Sequence, residues 1–269
     1  MIDGAFGQKA LRPVHNDRTR NAMDSTPLKF DLSKALAELS PQELDRMAEA
    51  AETVRENLRL LKKSGHNLVG QCLAHQGTFY EEEHYPKGDV YDAESHAQYY
   101  YHAHRPESGE HGHFHTFLRA KGMARKTRPA PYSGDAERPS GKDALAHIVA
   151  ISMNRPGFPI GMFTTNRWVT GETFYACDDV IAMIDRFDVE QSYPCLATNR
   201  ALSALMQLFR PQVVALLKQR DVTLDAWKAQ HPDRDIYEDR ELEITSIVDI
   251  SIERQTNELK KARRRTRSS

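Results

Sequence analysis

Five of the twelve histidines in this 269-residue chain fall between His102 and His115, inside the stretch QYYYHAHRPESGEHGHFHTFLR at residues 98–119. With a period of two, His102 and His104 project to one side of a strand. Beyond the turn-like residues 105–110, the same alternation puts His111, His113 and His115 on one side of the next strand. Pro106 and Gly109 suit that turn. A symmetric closure sets His104 opposite His111, His102 opposite His113 and Tyr100 opposite His115, with facing Cβ atoms about 4.5–5.5 Å apart. Imidazoles that close repel one another when protonated, whereas neutral ones converge on a cation at about 2.0–2.1 Å per bond. A divalent metal ion is the expected occupant, with His102, His104, His113 and His115 as ligands. Glu110 and His111 are expected behind those ligands, or as acid and base beside an open position. The competing reading is a metal-free hairpin whose histidines face solvent or stack on Tyr99, Tyr100, Tyr101 and Phe114.

Three imidazoles on a sheet face with a position left for water resemble the metal centre of carbonic anhydrases, a likeness confined to the hairpin. His102-Ala-His104 followed by Glu110 also resembles a cupin motif, although five residues separate His104 from Glu110 and no second motif follows. Glu81-x-x-His84 and Glu110-x-x-His113 invite a di-iron reading, but Gly109, Gly112 and Phe114 make the second copy strand-like, and that reading needs facing helices. The order from QYYYHAHR through EHGHFHTF to TTNRWVTGE resembles an uncharacterised bacterial family of unknown function, which implies no activity. Iron, zinc and copper all accept imidazole, so the ligands alone do not select the metal.

Those residues must be held by a scaffold, and its parts are legible as an α+β fold. Ser40-Pro41-Gln42-Glu43 combines an N-cap, a proline at the first helical position and a capping-box glutamate. The apolar stripe Leu44, Met47, Ala51, Val54, Leu58 and Leu61 then runs to Ser64-Gly65, and packs on its own domain or forms a dimer seam. Residues 67–80 fit neither period well, and residues 81–92 read as a polar loop. Residues 119–143 form a long Pro- and Gly-rich connection, expected to be a lid or a mobile segment. Its glycines do not make a phosphate loop, because six residues separate Gly134 from Gly141 and Asp143 stands where a hydroxyl is needed. A second hairpin follows, from residues 145–153 and 160–169, and His147 on its first strand reads as a core residue. Asn166, Arg167, Trp168 and Glu172, near the end of that hairpin, are the expected holders of a small polar or carboxylated substrate, since Arg offers carboxylate a planar fork. From Cys177 onward the pattern is helical, with Asp178 as a cap, a helix from Thr198, one from Pro211 and a short one over residues 223–230. Residues 243–252 read as strand or helix. The expected sheet is therefore antiparallel, with at least two hairpins that can curl into a barrel-like form, an N-terminal helix and a helical C-terminal half.

Domain limits follow from composition. Residues 1–27 read as a flexible leader, 28–257 as one α+β domain and 258–269 as a basic disordered tail. Lys and Arg total 37 against 38 for Asp and Glu, so charge gives no reason to expect nucleic acid or an anionic membrane. No apolar run is long enough to span a bilayer and no signal-like start is present, so the expected location is cytoplasmic. Cys72, Cys177 and Cys195 are too scattered for a disulfide framework or a zinc knuckle. The expected function is a metalloenzyme acting on a small polar molecule, an iron-dependent oxidase or oxygenase or a zinc hydrolase or lyase. The alternative is a non-catalytic metal or ligand binder, or an assembly partner that pairs with itself or another protein through its helices.

Overall fold

Alternation along β-branched and aromatic runs builds six strands: β1 (Tyr85–Tyr91), β2 (Ala97–His102), β3 (Gly112–Arg119), β4 (Leu145–Met153), β5 (Pro159–Thr165) and β6 (Ile244–Asp249). In the computed structural model, which describes residues 26–103 and 109–268, they form one open antiparallel sheet in the order β1-β2-β3-β4-β5-β6. The fold is α+β, with eight helices, and the sheet does not close into a barrel among the described residues.

The two faces differ in kind. Tyr99, Tyr101, Phe114, Leu118, Val149, Ile151, Met153, Met162 and Val248 point to a helical layer and are buried in the main core. Fully burying side chains of this size stabilises the fold by roughly 1.5–3 kcal/mol each. The helical layer comprises α1 (Leu32–Ala37), α2 (Pro41–Lys63), α3 (Leu68–Leu73), α4 (Arg167–Thr170), α5 (Cys177–Ile184), α6 (Leu196–Leu208), α7 (Arg210–Gln230) and α8 (Ile252–Ser268). Helix α2 starts at the expected capping box, with Ser40 and Glu43 bonded reciprocally, and packs its apolar stripe on α6 and α8. The opposite face of the sheet carries Tyr100, His102, His113, His115, Phe117, His147 and Phe163.

A bulge in β4 decides which face His147 occupies. Thr116 pairs with Val149 but Phe117 pairs with His147, so Ile148 is an extra residue on β4. In an unbroken strand His147 would share the helical face with Val149 and Ile151; the bulge turns it to the histidine face. The Thr116 hydroxyl fixes the bulge by donating to Val149 O at 2.6 Å and accepting from Val149 N at 3.3 Å.

Several elements depart from the sequence expectation. Residues 85–91 are a strand rather than a polar loop, because Tyr85 and Val90 are buried beside β2. Strand β5 ends at Thr165 rather than continuing to residue 169, since Asn166 caps α4 by accepting from Arg167 N. Ala176 is the N-cap of α5, and Asp178 lies within its first turn. The two expected helices after Pro211 are one, because Leu217, Arg220, Leu224 and Trp227 continue a single buried stripe. Residues 244–249 resolve as strand β6. The basic residues after 257 are helical: Gln255 and Leu259 are buried, Ala262 packs on the core, and Arg263 pairs with Asp45 of α2. The connection over residues 119–143 is tied down by Ala130 N donating to Phe174 O and Thr173 Oγ1 donating to Pro139 O. The leader, apart from its last two residues, lies outside the described residues. No helix among the described residues is long and apolar enough to cross a membrane.

Candidate functional site

The hairpin register is the one the alternation predicts: His102 pairs with His113 and Tyr100 with His115. The rings of His102, His113 and His115 form a triangle with centre-to-centre distances of 5.6, 6.3 and 4.7 Å. His113 and His115 are fully buried, whereas His102 is half-buried. His104 lies outside the described residues.

Each β3 histidine is anchored through Nδ1. His113 Nδ1 is 2.6 Å from Oε1 of Glu110, itself buried. His115 Nδ1 is 3.0 Å from Nε2 of His147. Sequence reading left His147 in the core because a lone strand histidine is more often a hydrogen-bonded core residue, and no feature of the sequence reveals the bulge. Phe117, Phe163 and Tyr100 wall the rings, at 5.2 Å from His147 for Phe117, 5.0 Å from His113 for Phe163 and 5.1 Å from His115 for Tyr100. His84 extends the row, stacked 3.5 Å from Tyr100 and 5.7 Å from His102.

His111 is not brought to this face. It precedes β3, and its Nδ1 is 2.6 Å from the Tyr101 hydroxyl on the helical side. Gly112 permits the crossing, since a Cβ there would collide with the Tyr101 ring and the His102 carbonyl. Glu110 and His111, expected together, therefore serve opposite faces.

The four expected substrate-holding residues also part company. Asn166 Nδ2 donates to Ile236 O at 2.7 Å and Trp168 Nε1 to Leu242 O at 2.9 Å. Arg167 is buried and donates to Glu172 O at 3.0 Å and Glu137 O at 2.5 Å while pairing with Glu238. Those three side chains pin the chain segments around residues 137 and 236–242. Glu172 instead reaches the histidine face: after β5 turns away, residues 172–174 run beside the start of β4, and Glu172 Oε2 accepts from His147 N at 2.5 Å.

Burial sets the charge state of the cluster. It drives the His115 pKa well below the ordinary value, helped by repulsion from His113, His147, His102 and His84. Burial likewise brings His147 down to about 3, with Arg220 and His113 adding to the effect. Glu172 is pushed up to about 7 by burial, against the pull of Arg220 and of the His147 N–H. Neutral imidazoles are the form that ligates metal. Two imidazoles on one tetrahedral ion have ring centres about 5 Å apart, given bonds of about 2.0–2.1 Å; the spacings of His113 to His115 and to His102 are near that value, and the 6.3 Å between His102 and His115 is wider. The nitrogens are not yet convergent: among the described residues no group of three or more His, Cys, Asp or Glu is placed to hold a metal. His102 is the most exposed of the three rings, and its soft, two-fold χ2 is the torsion that turns a nitrogen inward.

A groove of about 880 Å³ lies away from this face, between α2 and α8, lined by Ala51, Arg55, Phe158, Ile250, Thr256 and Lys260 among others.

No curated protein and no solved structure shows significant similarity to the chain. A family model described as a domain of unknown function, DUF6969, matches residues 48–250, which include every strand and the whole histidine cluster. The chain belongs to that family.

Proposed function

We propose that the protein is a metal-dependent enzyme whose divalent ion is held by His102, His113 and His115. The observation that carries this reading is the triangle of ring centres at 5.6, 6.3 and 4.7 Å on one face of a rigid sheet. A scaffold of paired strands holds ligands more precisely than loops do. Burial keeps His115 neutral, so no proton competes for its lone pair near pH 7. Bound there with an open position, a divalent ion supplies Lewis acidity and an acidified water, or a site for dioxygen if it is iron. The chain's own part is to exclude water with Phe117, Phe163 and Tyr100 and to orient His113 through Glu110. The substrate is a small polar molecule that approaches from the half-buried His102 side.

A second reading is favoured by the direct His115–His147 hydrogen bond and by the unconverged nitrogens. In it the cluster is a metal-free polar network and the protein binds a ligand or a partner without catalysis. Cobalt(II) titration separates the two. The metal reading expects visible ligand-field bands that saturate at one ion per chain and vanish when His102 and His113 are both alanine. Absence of bands in the folded wild-type protein sinks it.

A further inference from the structure

We propose that His147 is a positioning residue that fixes the tautomer of His115, as Glu110 does for His113, so that both β3 histidines offer Nε2 to the same space. This rests on the metal reading, which needs the lone pair of His115 on Nε2. A carboxylate accepts, so the 2.6 Å contact with Glu110 assigns a proton to His113 Nδ1, which leaves Nε2 as the nitrogen that would carry the lone pair of the neutral ring. At 3.0 Å one of His115 Nδ1 and His147 Nε2 donates and the other accepts, so a single proton lies between the two rings. Placing that proton on His115 gives it the same tautomer as His113. The metal reading requires this placement, since it leaves the lone pair of His115 on Nε2. Glu172 fixes the backbone at His147, its carboxyl accepting from that N–H at 2.5 Å.

The bulge is an independent observation pointing the same way. Without the extra residue Ile148, His147 would face the helices; with it, His147 meets His115 across the strand pair. Bulges re-aim side chains beside functional sites, and partners that fix the second nitrogen of a ligating histidine tune the metal as the ligands themselves do. His147 acts through His115 and needs no contact with the ion.

The test is long-range ¹H–¹⁵N correlation of the imidazoles in metal-free protein, followed by zinc titration. In the wild type, His113 and His115 are expected with the proton on Nδ1. His147→Gln, whose side-chain oxygen still accepts, keeps that tautomer on His115. His147→Leu releases it to a mixture and lowers zinc affinity about 10–100-fold. A wild-type His115 protonated on Nε2 overturns the proposal without any variant, and so does a tautomer unmoved in folded His147→Leu. Tautomers as stated in a protein that takes up no zinc uphold the role of His147 and overturn the metal reading instead.

Discussion

At the scale of single residues, the buried carboxyl of Glu172 makes a pH-dependent claim. Its folded pKa of about 7 stands above its unfolded value of 4.5. Between those values the native state therefore binds more protons than the unfolded state, and this group makes stability fall as pH rises from 4.5 to about 7. Glu172→Gln keeps an acceptor for the His147 N–H and removes the titration. Measured by urea unfolding at pH 5 and pH 8, the variant should gain on the wild type by about 2.5 kcal/mol over that interval. Parallel pH profiles would contradict the assignment. Arg167 makes a different claim, because its guanidinium is committed to Glu172 O, Glu137 O and Glu238. Arg167→Met should destabilise the fold by about 1–3 kcal/mol, since two carbonyls lose a charged donor while Glu238 stays partly exposed, and leave metal uptake per folded chain unchanged. Uptake that falls while stability holds would return Arg167 to the ligand-binding role its sequence context indicated.

At the scale of elements, local signals were readable where a side chain's own chemistry sets the backbone. The α2 capping box is such a case: Ser40 and Glu43 satisfy each other's backbone donors, and Ser40→Ala should cost about 1 kcal/mol in unfolding free energy. The β2–β3 register was readable as well, since turn residues and alternation together leave one closure. Alternation carries no information where the strand itself is irregular. The bulge at Ile148 reverses the parity of His147, and the exit of His111 at Gly112 reverses that of the first histidine after the turn. Neither leaves a mark in a period-two count, because each depends on a neighbouring strand. Long-range bonds were equally invisible: nothing near residues 166–168 in sequence announces partners at residues 236–242. Gly112 carries the element-level prediction. Gly112→Ala should destabilise by about 1–3 kcal/mol through overpacking against Tyr101, with the loss visible as a lower denaturation midpoint.

At the scale of the molecule, the sheet divides labour between its faces. One face is closed by helices and holds the main apolar core; the other gathers His102, His113, His115 and His147 among aromatic rings. A sheet pinned on one side holds what projects from the other, which is why His115 and His147 can stay buried and neutral there. The measurement that bears most directly on the account is elemental analysis of untagged protein before and after dialysis against a chelator, on the wild type and on the double variant His102→Ala, His113→Ala. The account predicts about one equivalent of iron, zinc or copper retained by the wild type, lost in the double variant, with the fold of both intact by circular dichroism. Metal well below one equivalent in the wild type, or equal amounts in the two proteins, would contradict it.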